Sequence, residues 1–277
     1  MIRYDQHMHS EFSTDSDAPM EEMIKKAISL GLEGITFTDH IDYHFPDRYA
    51  ESLGANPPLF TFDLPKYRIK IQELKEKYKD QIQISTGVEL GLKPDAYEKN
   101  LEVSQMDCFD FIIGSIHLIQ DYDPYYPDFW EKYGVNTCLS LYLDATLEAL
   151  PTFQDLKINT LGHLDYATRY VPEGRPANFY SQFQDKIHSI LDYLIQNEIA
   201  LEINSSGYKN GGNAPNPDYE ILEAYYKRGG RKITFGSDAH EPQRIAQFFD
   251  KILPRVKEIG FTHYEVYQKK IPTKIPL

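Results

Sequence analysis

The residues of this chain that could do chemistry stand near the ends of short apolar runs. His7 and His9 close the first run and lead into "YDQHMHSEFSTDSD" (4–17), which also holds Asp15 and Asp17. Side chains at i and i+2 of a strand project from one face, so two imidazoles spaced this way can grip one metal ion. An isolated HxH is a weak signal, but the pattern recurs. Asp39 and His40 end "GITFTDH" (34–40), Glu89 lies near the end of "IQISTGVEL" (82–90), and His117 ends "FDFIIGSIH" (109–117). His163 and Asp165 end "INTLGHLD" (158–165), and Asp238 and His240 end "KITFGSDAH" (232–240). Of nine histidines, only His44, His188 and His263 lie elsewhere. Any one of the six, taken alone, would more often be a hydrogen-bonded structural residue. Together with Glu89 and Asp238 they form a donor set suited to divalent ions such as Zn²⁺, Mn²⁺ or Fe²⁺. One tetrahedral ion would leave half of these groups unused, so two or three ions are implied. Glu89, between the two histidine groups in strand order, is the natural bridge.

Paired metals about 3.5–4 Å apart lower the pKa of a bridging water and clamp the oxygens of an in-line displacement at phosphorus. Phosphate also needs cationic or donor groups beyond the metals. Arg169 follows the fifth run, and Lys209 follows the sixth, "ALEINSSG" (200–207), with Asn204, Ser205, Ser206 and Gly207 beside it. The plain alternative for each cation is a solvated surface charge.

The elements that must position these groups alternate regularly. Each of seven β-rich runs, the first being Ile2 to His7, is followed by a helical pattern. The helices are expected from Pro19 at a first helical position to a Gly31 cap, over 65–78, near 95–104, 137–150, 178–197, 218–227 and 242–256. Strict alternation implies parallel strands with crossover helices. An open sheet gathers its site at one switch crevice, whereas a barrel lets every strand end contribute. With donors at nearly every strand end, the expected fold is α/β, a (β/α)7 barrel over residues 1–277 as a single domain. Two long loops rich in aromatic residues, 41–64 and 118–134, belong to the same face. They are candidates for walls around a flat, partly cationic substrate group, or for plain packing over the rim.

Composition bounds the class. The chain has 277 residues, 41% hydrophobic and 26% charged, which suits a soluble globular protein. A net charge of −13 argues against a nucleic-acid surface and suits a protein carrying divalent cations. Cys108 and Cys138 form no CxxC pattern, so reduced thiols and a cytoplasmic setting are expected. "MIRYDQHMHS" has no apolar h-region, and no apolar run is long enough to span a membrane. Oligomeric state is left open.

These motifs, in this order, resemble the polymerase and histidinol phosphatase (PHP) family: "HMH" with Asp15, then "TDH", "GVE", "SIH", "GHLD" and "SDAH", spread from residue 7 to 240. "HSEFSTDS" and "EINSSG" are most similar to the monofunctional histidinol-phosphatase branch. The resemblance implies a distorted TIM-like seven-stranded barrel and three divalent metal ions. It implies His7, His9, Glu89 and Asp238 for the first ion, with Glu89, His117 and His163 for the second. Asp15, His40 and His240 would hold the third, and the choice of Asp15 over Asp17 rests on the resemblance. The implied reaction is hydrolysis of L-histidinol phosphate, a small-molecule phosphomonoester, to L-histidinol and phosphate in histidine biosynthesis. A metal-bridging hydroxide would attack while Arg169, Lys209 and the metals stabilise the growing charge. Glu89, Asp238 and His240 are the candidate catalytic groups. A metal-bound water, His240 or Asp39 could protonate the leaving alkoxide. The alternatives are a phosphoesterase with the same centre acting on phosphotyrosine or nucleotides, and a metal-dependent amidohydrolase. The amidohydrolase would call for an eighth strand and often a strand-end lysine. A non-enzymatic metal-storing or scaffolding role would waste a complete ligand set.

Overall fold

The computed structural model describes residues 1–277, apart from the side chain of Asn210. Strands buried on both faces must be apolar or paired throughout, and the short runs satisfy this. They form β1 (Tyr4–Asp5), β2 (Gly34–Phe37), β3 (His40–Ile41), β4 (Gln83–Gly91), β5 (Phe111–Ser115), β6 (Thr160–Leu161), β7 (Ala200–Asn204) and β8 (Ile233–Gly236). All pair in parallel, in the order β1-β2-β4-β5-β6-β7-β8, with β3 also on β4. The second run breaks at Thr38–Asp39 and resumes as β3, where His40 pairs with Glu89. That break is one source of the distortion from a regular barrel.

The ring nearly closes. Between β1 and β8 there is a seam instead of a ladder, spanned by Gln6 N–H to Phe235 O (2.9 Å), Asp238 N–H to His7 O (2.8 Å) and His9 N–H to Ala239 O (2.8 Å). These bonds carry the first run past its short ladder, so His7 and His9 remain on one side while Met8 enters the apolar core. Strands are shorter than the runs, and this matters for the site. The first run, expected over 2–7, pairs only over Tyr4–Asp5, so its histidines lie beyond the strand. Of the donors, Glu89 and His40 lie within strands, Asp15 lies in the loop between β1 and the first helix, and the others stand just past strand ends.

The crossover helices lie mostly where periodicity puts them. Pro19 is the N-cap of the helix Met20–Ser29, with extended backbone, one position earlier than expected. Gly31 closes that helix at φ +73°, a conformation L side chains rarely adopt. The helix Leu64–Tyr78 is capped by the Asp63 carboxylate accepting from Lys66 N–H (3.1 Å). The segment 178–197 is two helices, Phe179–Gln182 and Gln184–Gln196, and 242–256 is a 3₁₀ turn followed by a helix over Phe249–Ile259. Both long loops carry local structure: a helical turn over 47–53 in one and the helix Pro127–Tyr133 in the other.

A C-terminal antiparallel hairpin, β9 (His263–Gln268) with β10 (Ile271–Pro276), has no counterpart in the sequence expectations. Tyr267 from β9 packs against Phe111 (centroids 5.2 Å apart), and Gln6 Nε2 donates to Glu265 O (2.7 Å). No helix is long and apolar enough to cross a membrane.

Candidate metal centre

Glu89 is fully buried, and its two oxygens face different histidines. Oε2 lies 3.0 Å from His40 Nδ1, 3.2 Å from His7 Nε2 and 3.6 Å from His9 Nε2. Oε1 lies 2.9 Å from His163 Nε2 and 3.2 Å from His117 Nε2. Asp238 Oδ1 completes the first group, 3.5 Å from His9 Nε2 and 4.0 Å from His7 Nε2. A third group stands beside it: Asp15 Oδ2 is 3.0 Å from His240 Nε2 and 3.7 Å from His40 Nε2. The His9 ring stacks between those of His40 (4.1 Å) and His240 (4.2 Å). All nine residues expected as ligands therefore converge. Asp17 is exposed and takes no part.

Whether these residues fit divalent ions can be tested on their hydrogen bonding. His7 Nε2, His9 Nε2 and Glu89 Oε2 are buried without a hydrogen-bond partner. Proteins rarely leave such atoms bare. Lone pairs facing one another across 3–4 Å suit a cation between them, and three overlapping groups are close enough to hold one: His7, His9 and Glu89; His40, Glu89 and His117; and His9, His40 and His240. The far sides of the rings are anchored. His7 Nδ1 meets Glu202 Oε1 at 2.6 Å, and His117 Nδ1 meets Asp42 Oδ1 at 2.9 Å. Such outer carboxylates orient a ligating imidazole and raise its basicity.

Burial opposes charge throughout, but the histidines around Glu89, His7 and His117 foremost, hold its carboxyl well below the usual range. The same holds for Asp238 beside His9, His7 and Lys209. Burial, with His40 and His240 beside it, holds His9 neutral, the form that ligates metal.

Sequence reasoning missed Glu202 and Asp42. Glu202 is a carboxylate inside the buried strand β7, a placement that calls for a partner. Asp42 follows His40 by two residues. Glu202 also accepts from His163 N–H (2.8 Å) and Asn204 Nδ2 (3.1 Å).

The floor opens into a cavity of about 700 Å³, bounded by the turn after β6 and the Gly-rich segment after β7. Arg169 and Lys209 both line it. Arg169 Nη1 donates to Asp238 Oδ2 (3.1 Å) and Nη2 to Asn204 Oδ1 (3.2 Å), while Lys209 Nζ donates to Asp238 O (2.9 Å). Burial disfavours the charge of Arg169, but Asp238 keeps it protonated.

Asn204 and Ser205, expected beside phosphate, are buried behind the wall, because Asn204 is occupied by Glu202 and Arg169. Ser206 lines the cavity instead and donates to Asp238 Oδ2 (3.0 Å). Asp39, offered as a proton donor, lies beneath the first turn, accepting from Ser10 N–H (2.7 Å) and Ser13 Oγ (2.8 Å), out of reach of the cavity. Asp165 is likewise structural, accepting from Arg175, Asn216 and Asp218 N–H. His44, His188 and His263 stand apart, beside Asp95, Tyr180 and Thr262.

Comparison with known proteins agrees with this fold. The PHP domain family model matches residues 5–206. A Thermotoga maritima protein named probable histidinol-phosphatase is 33% identical over 270 residues, 97% of each chain. The histidinol-phosphatase of Lactococcus lactis is 31% identical over 265 residues, 94% of this chain and 93% of that one. The crystal structure of the Lactococcus lactis histidinol phosphate phosphatase, in complex with zinc, L-histidinol and phosphate, superposes with a TM-score of 0.87 at 30% identity, covering 99% of both chains.

Proposed function

The chain belongs to the PHP domain family, and from that premise we infer that it is a metal-dependent phosphomonoesterase converting L-histidinol phosphate to L-histidinol and phosphate, a step of histidine biosynthesis. The names of its relatives, and the ligands of the Lactococcus lactis complex, support substrate and metal together. The observation in this chain that carries the reading is the division of Glu89 between His7, His9 and His40 on one oxygen and His117 and His163 on the other.

We assign three divalent ions, of the Zn, Mn or Fe kind. His7, His9, Glu89 and Asp238 hold one, Glu89, His117 and His163 a second, and Asp15, His40 and His240 a third. When bound, such ions make a coordinated water acidic enough to attack at neutral pH and offset the charge of the phosphate. The chain's own residues supply the rest. Arg169 and Lys209 bind phosphate oxygens, and the Arg169 fork is oriented in advance by Asp238 and Asn204. Asp238 joins the two halves, with Oδ1 toward His9 and Oδ2 toward Arg169. The proton for the leaving alkoxide comes from the cavity side, where His240 stands and Asp39 does not. We take residues 1–277 as one domain, since the C-terminal hairpin packs under the same barrel. A cytoplasmic setting suits the free thiols Cys108 and Cys138.

The test is phosphate release by the purified protein with Mn²⁺ or Zn²⁺, each substrate with and without chelator. L-histidinol phosphate, phosphotyrosine, a nucleoside monophosphate and an aryl phosphate form the panel. The expected result is a kcat/KM for histidinol phosphate far above the others and lost with chelator. Comparable weak rates on all four would leave a metal phosphoesterase and remove the histidinol assignment.

A further inference from the structure

Arg169 is held by a residue that no sequence motif singles out. Asn216 lies between β7 and the helix Tyr219–Lys227 and is 1% exposed. Its Oδ1 accepts from Arg169 Nε (2.5 Å). Asp238 Oδ2 and Asn204 Oδ1 accept from Nη1 and Nη2, so each nitrogen of the guanidinium has an acceptor. An arginine carries five N–H groups, and three acceptors leave two of them for the oxygens of a phosphate. Asp238 and Asn204 also face His9 and Glu202. Asn216 faces Asp165 instead.

The amide of Asn216 could sit either way round, and its neighbours allow one. Its Nδ2 donates to Asp165 Oδ1. Asp165 is fully buried, and its other oxygen accepts from Arg175 Nη2 (2.5 Å) and Asp218 N–H (2.9 Å). A carboxylate paired with a guanidinium offers acceptors only, so the NH2 of the amide must face it. The carbonyl oxygen is thereby aimed at Arg169 Nε. Turned over, the amide would set oxygen against oxygen at Asp165 and N–H against N–H at Arg169. The backbone of Asn216 is pinned as well: it accepts from Asn204 N–H (2.8 Å) and donates to Asn204 O (2.9 Å). Gly207 leaves the space it needs, since a Cβ there would lie 2.7 Å from Asn216 Oδ1.

We propose that Asn216 is a positioning residue that aims Arg169 at the phosphate of the substrate, with its own amide set by Asp165. The proposal rests on the hydrolysis inferred above. Asp165 is not among the residues lining the cavity and acts on phosphate only through Asn216 and Arg169. The relay from Arg175 through Asp165 and Asn216 fixes the guanidinium plane before substrate arrives, so less freedom is lost when phosphate binds.

An exchange of the two side chains decides it. Asp165→Asn or Asn216→Asp alone sets like groups face to face. The double variant Asp165→Asn/Asn216→Asp keeps the net charge and every hydrogen bond of the relay, with donor and acceptor traded between the two positions. In metal-loaded protein, each single variant should lower kcat/KM for L-histidinol phosphate by about 10- to 100-fold. Each should also weaken the binding of inorganic phosphate in calorimetry, while metal content and the binding of L-histidinol stay as in wild type. The double variant should return to within about 3-fold of wild type in kcat/KM and in phosphate binding. Asn216→Ala carries the same expectation if the single exchanges do not fold, and in an Arg169→Ala background it should cost less than about 2-fold more. Wild-type kcat/KM in the single variants, or a folded double variant no better than they are, would overturn the proposal. So would an equal cost of Asn216→Ala with and without Arg169. A wild type that does not hydrolyse L-histidinol phosphate would sink the hydrolysis reading itself, and phosphate calorimetry on the same variants would still test the aim of Arg169.

Discussion

Glu89 concentrates the cost and the purpose of the site in one side chain. A carboxylate with no exposure, ringed by five imidazoles, would be expensive to bury without a charge partner. Glu89→Ala should therefore abolish turnover and reduce bound metal by more than one ion per chain in elemental analysis. Full metal content with normal turnover would contradict its bridging role. Arg169 acts differently, because it touches the donor set only through Asp238 and lines the cavity. Arg169→Ala should lower kcat/KM by about 10²–10³, the usual worth of a preorganised transition-state donor, with metal content intact. An unchanged kcat/KM would remove it from the phosphate site. Asp42 and Glu202 escaped sequence reasoning for a physical reason. Each acts on the far nitrogen of a histidine, and that partnership joins β7 to the end of β1, or the loop after β3 to the end of β5.

At the scale of elements, the site depends on strands that stop early and on small residues where they approach one another. Gly236 ends β8, and a Cβ added there would lie 2.3 Å from both Glu202 Oε1 and His7 Cβ. Gly236→Ala should thus cost about 1–3 kcal/mol as overpacking and weaken metal retention more than a typical core change. Thermal melts with and without Zn²⁺ would show both effects, and an unchanged metal-dependent shift in Tm would refute the second. His188 provides the opposite case. It sits on the helix Gln184–Gln196, hydrogen-bonded to Tyr180 at the surface. His188→Ala should stay within about 0.5 kcal/mol in stability and leave kcat unchanged. A folded but inactive variant would mean that the barrel's active face has been misassigned. The splitting of 178–197 at Phe183 and the Pro242–Arg244 turn are local choices that periodicity alone does not resolve.

For the whole molecule, the donor cluster couples folding to metal. The chain carries a net charge of −13, and Glu89, Asp238 and Asp15 share histidine partners at the barrel mouth. An ion that binds only the folded chain stabilises it by about 4 kcal/mol at a thousandfold excess over Kd. Chelation should therefore lower Tm in calorimetry and readdition of Zn²⁺ or Mn²⁺ restore it; an identical Tm in both states would count against a resident centre. The amino-acid sequence alone determined the alternation of strands and helices, the barrel, and most of the donor groups that converge at its mouth. Those features are written in local periodicity and in residue types near strand ends, and each can be read within a few neighbours. Asp15 could be told from Asp17 only by family resemblance until His240 and His40 were seen beside it, 225 and 25 positions along the chain. The closing seam, the outer carboxylates, and the burial of Asn204 and Ser205 were decided only by the tertiary structure. Each depends on contacts between segments far apart in the chain, where sequence spacing carries no information about distance.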